Sequence, residues 1–446
     1  MRPCDRTDSS LVGELLLLAA AAPALYFPQR FPPWAVYASL LLLAGGWVWR
    51  RLRLGVWYTP TPADWPIFLL FGVMLPISLW VAPAPLREQY SIPRAYILLW
   101  NFCLFWVVVT YGSRSRRYIE LALAGFALLA LAIALVAPLG MNWLYKFAGF
   151  QSLIAAIPSP LVGVFAGAET GFHPNQVAGT LLYALPLLLA LGVAELLQRR
   201  QALAMPGVRF LVWLATPVIG LVLLLTQSRM ALFASGLGVV VMVLVNRRWG
   251  RRLLVIAGLG VLASLPFLSA TLLDTMGETS LAATLGGMGT LKFRQDVWVQ
   301  AVRTIYDFPF TGIGLGTFRR IIYLLYPVQV SPYYDLEQAQ HAHNFFLQTG
   351  LDFGLLGLVA LAAIYLGAMI VLAPAWWGNG PSGALARMAP WWAMGLGGSL
   401  VAQVVHGQLD AVAMGAKTNL MFWYVLALTF ALGNLYQYSS AHLRAQ

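Results

Sequence analysis

The stretch HAHNFFLQTGLDFGLLGLVALAAIYLGAMIVLA, His341 to Ala373, decides the fold class. Beyond Asn344 it contains a single charged side chain, Asp352, and it is long enough to cross a hydrocarbon layer about 30 Å thick. Runs of the same kind recur along the chain, roughly twelve in all, near 11–28, 33–49, 65–82, 95–112, 118–138, 174–195, 209–227, 229–246, 253–271, 343–373, 389–407 and 419–437. Composition agrees: 60% of the 446 residues are hydrophobic and only 10% are charged, where soluble domains carry about 25%. The expected fold is therefore an all-α integral membrane protein of about twelve spans.

Several function classes drop out on composition. The two cysteines, Cys4 and Cys103, fall in a polar N-terminal stretch and inside an apolar span, so neither a disulfide framework nor a cysteine-based metal or redox site is expected. The apolar segment after MRPCDRTDSS includes Glu14 and lacks a small-residue cleavage signal, which reads as a first anchor. A net charge of +12 points to cytoplasmic loops and anionic ligands, with no nucleic-acid partner expected. Basic residues gather in alternate loops: Arg50, Arg51 and Arg53, then RSRR, then Arg199, Arg200 and Arg209, then RRWGRR. By the positive-inside rule this places both termini in the cytoplasm. Four units follow: 1–173 with spans one to five and a first outer loop, 174–271 with spans six to nine, 272–342 as an outer loop domain, and 343–446 with the last three spans and a cytoplasmic tail.

Loops as long as 140–173 and 272–342 are usually functional or disordered. The second contains DVWVQAVRTIYDFPFTGIGLGTFRRIIYLLYP, with aromatic and aliphatic residues at helical spacing and Gly and Pro punctuation, and is expected to form a small, partly amphipathic helical domain at the outer surface. The alternative is an amphipathic cap without chemistry.

Four of the five histidines, His173, His341, His343 and His406, fall on that same outer side. Histidine trades protons near neutrality, so their gathering points to a site there. His406 alone reads as a packed or interfacial side chain. His173 precedes Pro174 and Asn175, which is equally the chemistry of a helix start. If a helix begins near Ala342, then Gly350, Gly354 and Gly357 follow His343 by 7, 11 and 14 residues and share its azimuth. The glycines then form a small-xxx-small face for packing against another span. In such a helix His341 and His343 point to nearly opposite sides, and they share a metal only if the segment is extended. With few carboxylates nearby (Asp335, Glu337 and Asp352), an acid–base role ranks above a metal site. Arg229, Arg294, Arg319 and Arg320 make an outer-face cluster suited to a diphosphate, because the guanidinium fork binds phosphate oxygens in pairs and stays charged. Individually, Arg319 and Arg320 are equally explained by contacts with lipid headgroups. GIGLG without a preceding strand is not a dinucleotide fingerprint.

These motifs, taken in order, resemble a family. His343 and Asn344 followed by Gly354 to Gly357 resemble the histidine motif of bacterial O-antigen ligases. TQSRMALFASGLG is similar to the opening of the domain that these ligases share with the polymerases, and FRQDVWVQAVRTIYDFPFTGIGLGTF resembles its arginine, tryptophan and Pro-x-x-Gly-x-Gly-x-Gly pattern. GFHPNQVAG resembles an upstream Asn-Pro-Asn segment, with His173 in place of the first Asn. The resemblance implies a multi-span glycosyltransferase architecture of the GT-C type. It implies transfer of a polysaccharide from undecaprenyl diphosphate to a sugar of the lipid A core, at the periplasmic face of the inner membrane, without metal or other cofactor. It makes His343 the motif histidine and Arg229 and Arg294 the important arginines, with Arg319 and Arg320 as further diphosphate contacts. His341, Asn344, Asn175 and His173 are secondary candidates. The expected partners are the carrier-linked donor, the lipid A core acceptor and membrane lipid. Three rivals remain: an O-antigen polymerase, a transferase to protein hydroxyls, and a transporter of lipid-linked saccharides. A transporter would more often show paired halves with broken midplane helices.

Overall fold

The computed structural model describes residues 3–143, 145–164, 171–197, 202–245, 250, 288–325, 341–377, 383–410 and 412–444. Among them there is no β-strand, and the principal elements are helices α1 (Pro3–Tyr26), α2 (Pro33–Leu54), α3 (Asp64–Val81), α4 (Ala84–Gly112), α5 (Arg116–Val136), α6 (Pro174–Leu197), α7 (Pro206–Leu225), α8 (Arg229–Val245), α9 (Met288–Asp307), α10 (Phe318–Leu325), α11 (Phe345–Trp377), α12 (Ala384–His406) and α13 (Leu420–Arg444). Among the described residues eight helices are long and apolar enough to cross a membrane, namely α1, α3 to α7, α11 and α13. The shorter apolar helix α8 and the helices α2 and α12 stand where three further spans are expected. The expected span at 253–271 lies outside the described residues.

The chain is an all-α multi-span membrane protein. One continuous apolar core runs through α1 to α7, α11, α12 and α13. Small residues set one close helix crossing. A Cβ on Gly238 of α8 would stand 2.5 Å from the Gly398 carbonyl oxygen of α12, the close backbone approach that favours helix association in lipid. Arg50, expected in a loop, lies on α2 and is fully buried. It pairs with Glu14 of α1 and donates to the Trp57 carbonyl at 2.9 Å. A single acidic residue in the first apolar run is thus matched by a single buried cation on the neighbouring helix.

The loop domain docks onto a break in α11. Gly354 has φ +68 and ψ −170, so the helical ladder is interrupted there. The carbonyl of Leu351, which an unbroken helix would offer to the Leu355 N–H, accepts instead from Ile313 N–H at 2.8 Å, and Leu355 N–H donates to the Pro309 carbonyl at 2.7 Å. Both partners belong to PFTGIGLG, Pro309 to Gly316. A Cβ on Gly354 would lie 2.7 Å from the Pro309 oxygen, and one on Gly350 would lie 2.7 Å from Ile305 of α9. The glycines of α11 therefore do permit close approach, but Gly350 and Gly354 receive the loop domain where another span was expected. Gly357 lies against Phe353 of its own helix. A second apolar core of Val297, Ala301, Ile305, Ile313, Phe318, Ile321, Ile322, Ala342 and Leu351 seals α9 and α10 onto the start of α11. Hydroxyls on two other helices fasten the same region: Ser78 Oγ donates to the Asp352 carbonyl and Ser91 Oγ to the Leu315 carbonyl, each at 2.7 Å.

Two outcomes follow from this packing. Glu14→Ala leaves the Arg50 charge buried without its carboxylate and should cost about 3–5 kcal/mol of stability. Thermal unfolding in detergent checks this, and replacing both residues by Leu should cost less than Glu14→Ala alone. Gly354→Ala forces a left-handed backbone on a residue with no room for its methyl and should cost on the order of 1–3 kcal/mol. Faster proteolysis within 288–325 would report release of the loop domain, and an unchanged cleavage rate would contradict the docking role.

Candidate active site

The site is built where α11 begins. The helix starts at Phe345, not near Ala342, and His343 precedes it in the left-handed region with φ +47. The expected helical azimuth shared by His343 and the glycines is therefore not realised. Asn344 is the reason. Its Oδ1 accepts from the N–H groups of Phe346 at 2.9 Å and Leu347 at 3.0 Å, which is N-cap geometry. Its Nδ2 donates to the Gln408 carbonyl at 3.0 Å, and Phe345 N–H donates to the Gly407 carbonyl at 2.7 Å. Asn344 thus ends one helix and ties it to the turn that follows α12.

That turn delivers a residue the sequence reading did not select. Asp410 Oδ1 lies 3.7 Å from His343 Nδ1 and 3.9 Å from His341 Nε2. The sequence held one signal for it, a carboxylate four residues after His406 in HGQLD, but the proximity to His343 comes from the α11–α12 clasp alone. His341 and His343 do not point apart: their rings lie side by side with centroids 4.3 Å from each other, and His343 N–H donates to His341 Nδ1 at 3.1 Å. The other end of the segment is also fixed. Gln348 accepts from Ala342 N–H and donates to Asp352 Oδ1, which in turn accepts from Gly316 N–H, each at 2.9 Å. The histidine segment is connected in this way to the GIGLG turn.

The electrostatics favour a working histidine. Burial opposes a charge on Asp410, but the contact with His343 and the neighbouring His341 and His406 outweigh it and hold its carboxyl well below the usual range. Burial first, and then His343, push His341 down to about 3, so it is neutral at physiological pH. An ionised Asp410 beside His343 Nδ1 is placed to favour the tautomer with the proton on that nitrogen.

Around this pair the fold gathers cations from distant parts of the chain. Arg229 opens α8, and Arg294 sits half-buried on α9 with its Nε lacking a hydrogen-bond partner among the described residues. The Lys146 ammonium is pushed downward by burial and then by the charges of Arg229 and Arg294, with Asp410 opposing. His173 is also pushed downward, first by burial, while Asp410 opposes and His343, Lys146 and Arg294 add to the effect. These six side chains therefore act on one another. Locally His173 is the N-cap of α6, its Nδ1 accepting from Asn175 N–H at 3.2 Å, so its helix-start role and its place in the cluster coexist. Asn175 Oδ1 is buried without a hydrogen-bond partner among the described residues. His406 is packed as expected, against Gly179, and it also bears on Asp410. Arg319 lies over the Tyr90 ring at 5.5 Å, beside the Arg94 that packs on Gly316, while Arg320 is exposed.

The arrangement offers two chemistries. His343 with Asp410 can take a proton from a hydroxyl, with cations at hand for an anionic leaving group. His341, His343 and Asp410 also place one ligand atom each within 4.8 Å of one another, two imidazoles and a carboxylate that suit a divalent cation. The condition that made a shared metal remote, a helix carrying both histidines, does not hold.

Residues 210–362 match the O-antigen ligase family model. That stretch, about a third of the chain, is similar to O-antigen ligases. No curated protein matches the chain. The matched stretch runs from α7 into α11 and contains Arg229, Arg294, Arg319, Arg320, His341, His343 and Asn344. Lys146, His173, Asn175, His406 and Asp410 lie outside it in sequence and are brought to it by the fold.

Asn344→Ala removes the cap and should lower stability by about 1 kcal/mol. Because it also frees the α12 turn, any transfer activity should fall further than that loss of folded protein explains. Asn344→Asp, which keeps the cap, should restore stability but not the bond to Gln408.

Proposed function

We propose that the protein transfers an O-antigen glycan from undecaprenyl diphosphate to a sugar hydroxyl of the lipid A core. The reaction takes place at the periplasmic face of the bacterial inner membrane, with both termini in the cytoplasm. The observation that carries this reading is the contact of His343 Nδ1 with Asp410, 3.7 Å, inside a group of cations that includes Arg229 and Arg294. His343 Nε2 takes the acceptor proton as the hydroxyl oxygen bonds to the anomeric carbon. The bond from that carbon to the diphosphate oxygen breaks, and its electron pair leaves with the diphosphate. Arg229 and Arg294 stabilise the charge that develops there, with Arg319 and Arg320 as further contacts for the carrier headgroup. A single displacement inverts the anomeric centre. Support for one step over two comes from the described carboxylates: Asp352 is fully buried and bonded to Gly316 and Gln348, and Asp410 is engaged with the histidines, while Asp335 and Glu337 lie outside the described residues.

A second reading rests on the converging ligand atoms of His341, His343 and Asp410. There a divalent cation held by these residues would bear on the leaving diphosphate, and no base would be drawn from His343. The two readings are separated by one assay with purified protein, carrier-linked glycan and lipid A core, with and without chelator. On the base reading, wild type forms product in chelator. His343→Ala loses at least about a hundredfold in rate while retaining donor, and Asp410→Asn is slowed on the order of a hundredfold. Loss of product in chelator, restored by one divalent ion, would replace it by the metal reading. Product formed on carrier-linked glycan but not on lipid A core would make the protein a polymerase.

A further inference from the structure

We infer that Lys146, on the loop between α5 and α6, is a third cation of the donor diphosphate site, placed there by Gln227. The inference rests on the donor reading proposed above and names a residue for it from outside the matched residues 210–362. Three observations lead to it.

The first is the clamp. The N–H groups of Lys146 and Phe147 both donate to Gln227 Oε1, each at 2.6 Å. Gln227 stands two residues before Arg229, so one side-chain oxygen fixes the lysine backbone against the segment that presents the arginine.

The second is strain. Gln227 is fully buried and has φ +52, one of two non-glycine residues with positive φ among the described residues, and the other is His343. A glutamine held in that region is strained and persists only where the surroundings over-determine it. Both strained residues border the same cluster, and at Gln227 the strained conformation directs the amide at the lysine loop.

The third is charge. Lys146 is exposed, and its ammonium has no hydrogen-bond or ion-pair partner among the described residues. The charges that act on it are those of Arg229, Arg294 and Asp410. Cations held in mutual reach repel one another, and a polyanion that joins them relieves that repulsion. A diphosphate ester supplies two adjacent anionic groups. An arginine fork takes a pair of oxygens, and a lysine supplies a compact point charge with three donors for the remainder. A lysine serving only lipid headgroups would have no need of a backbone clamp beside Arg229.

The test is binding of undecaprenyl diphosphate, with undecaprenyl monophosphate as comparator, to full-length protein in nanodiscs of neutral phosphatidylcholine. Lys146→Gln should weaken diphosphate binding about tenfold and monophosphate binding much less, and Lys146→Arg should restore most of it. Gln227→Ala should weaken it similarly, and adding Lys146→Gln should then cost little more, because both act through one contact. Wild-type affinity in Lys146→Gln, with Arg294→Gln impaired, overturns the assignment of Lys146 and leaves the donor reading standing. A loss that appears only when phosphatidylglycerol is included assigns Lys146 to headgroups and overturns it as well. Absence of diphosphate binding by wild type overturns the donor reading and this inference together.

Discussion

The arrangement depends on a hydrogen-bond exchange inside α11. A helix in an apolar surround can be interrupted only if its freed backbone groups find other partners. At Gly354 they do: Leu351 gives its carbonyl to Ile313, and Leu355 takes the carbonyl of Pro309. This makes the loop segment part of the helix. The same exchange determines how α9 presents Arg294, how Gly316 meets Asp352, and so how Gln348 holds the segment that carries His343. Remove either backbone partner and the break becomes an unsatisfied pair of polar groups beside an apolar core.

The site follows from a second exchange, at the other end of the same helix. Asn344 uses its oxygen to cap α11 and its nitrogen to hold the turn after α12. One amide therefore fixes the geometry between His343 on one element and Asp410 on another. The partnership with Asp410 makes the histidine chemically definite. The carboxyl is held low despite burial, chiefly through its contact with His343 and the neighbouring histidines.

Charge is distributed in the same economical way. The buried Glu14 and Arg50 cancel within the α1–α2 pair and serve the fold. Near Asp410 the charges of Lys146, Arg229 and Arg294 act on one another, and the strained backbone at Gln227 and His343 borders the same group.

Much of the fold was legible because a membrane span is a local property: length and hydropathy alone identify it, and eleven of the twelve expected runs fall on helices, with 253–271 outside the described residues. Arg229, Arg294 and His343 were legible as residue types in loose motifs. The start of α11 was not, since an amide cap and a left-handed histidine do not alter the 3.6-residue pattern that follows them. The role of the glycines was half legible: their spacing announced close approach but not the partner. Asp410 and Lys146 were illegible for a simpler reason. They lie 67 residues after and 197 residues before His343 in the numbering, and no local pattern encodes which distant charge a buried imidazole will meet. The sequence by itself determined a multi-span helical protein with motifs similar to those of O-antigen ligases, because hydrophobic length is read residue by residue. Only the tertiary structure decided which carboxylate and which cations surround the histidine, because those contacts are set by hydrogen bonds between elements far apart in the chain.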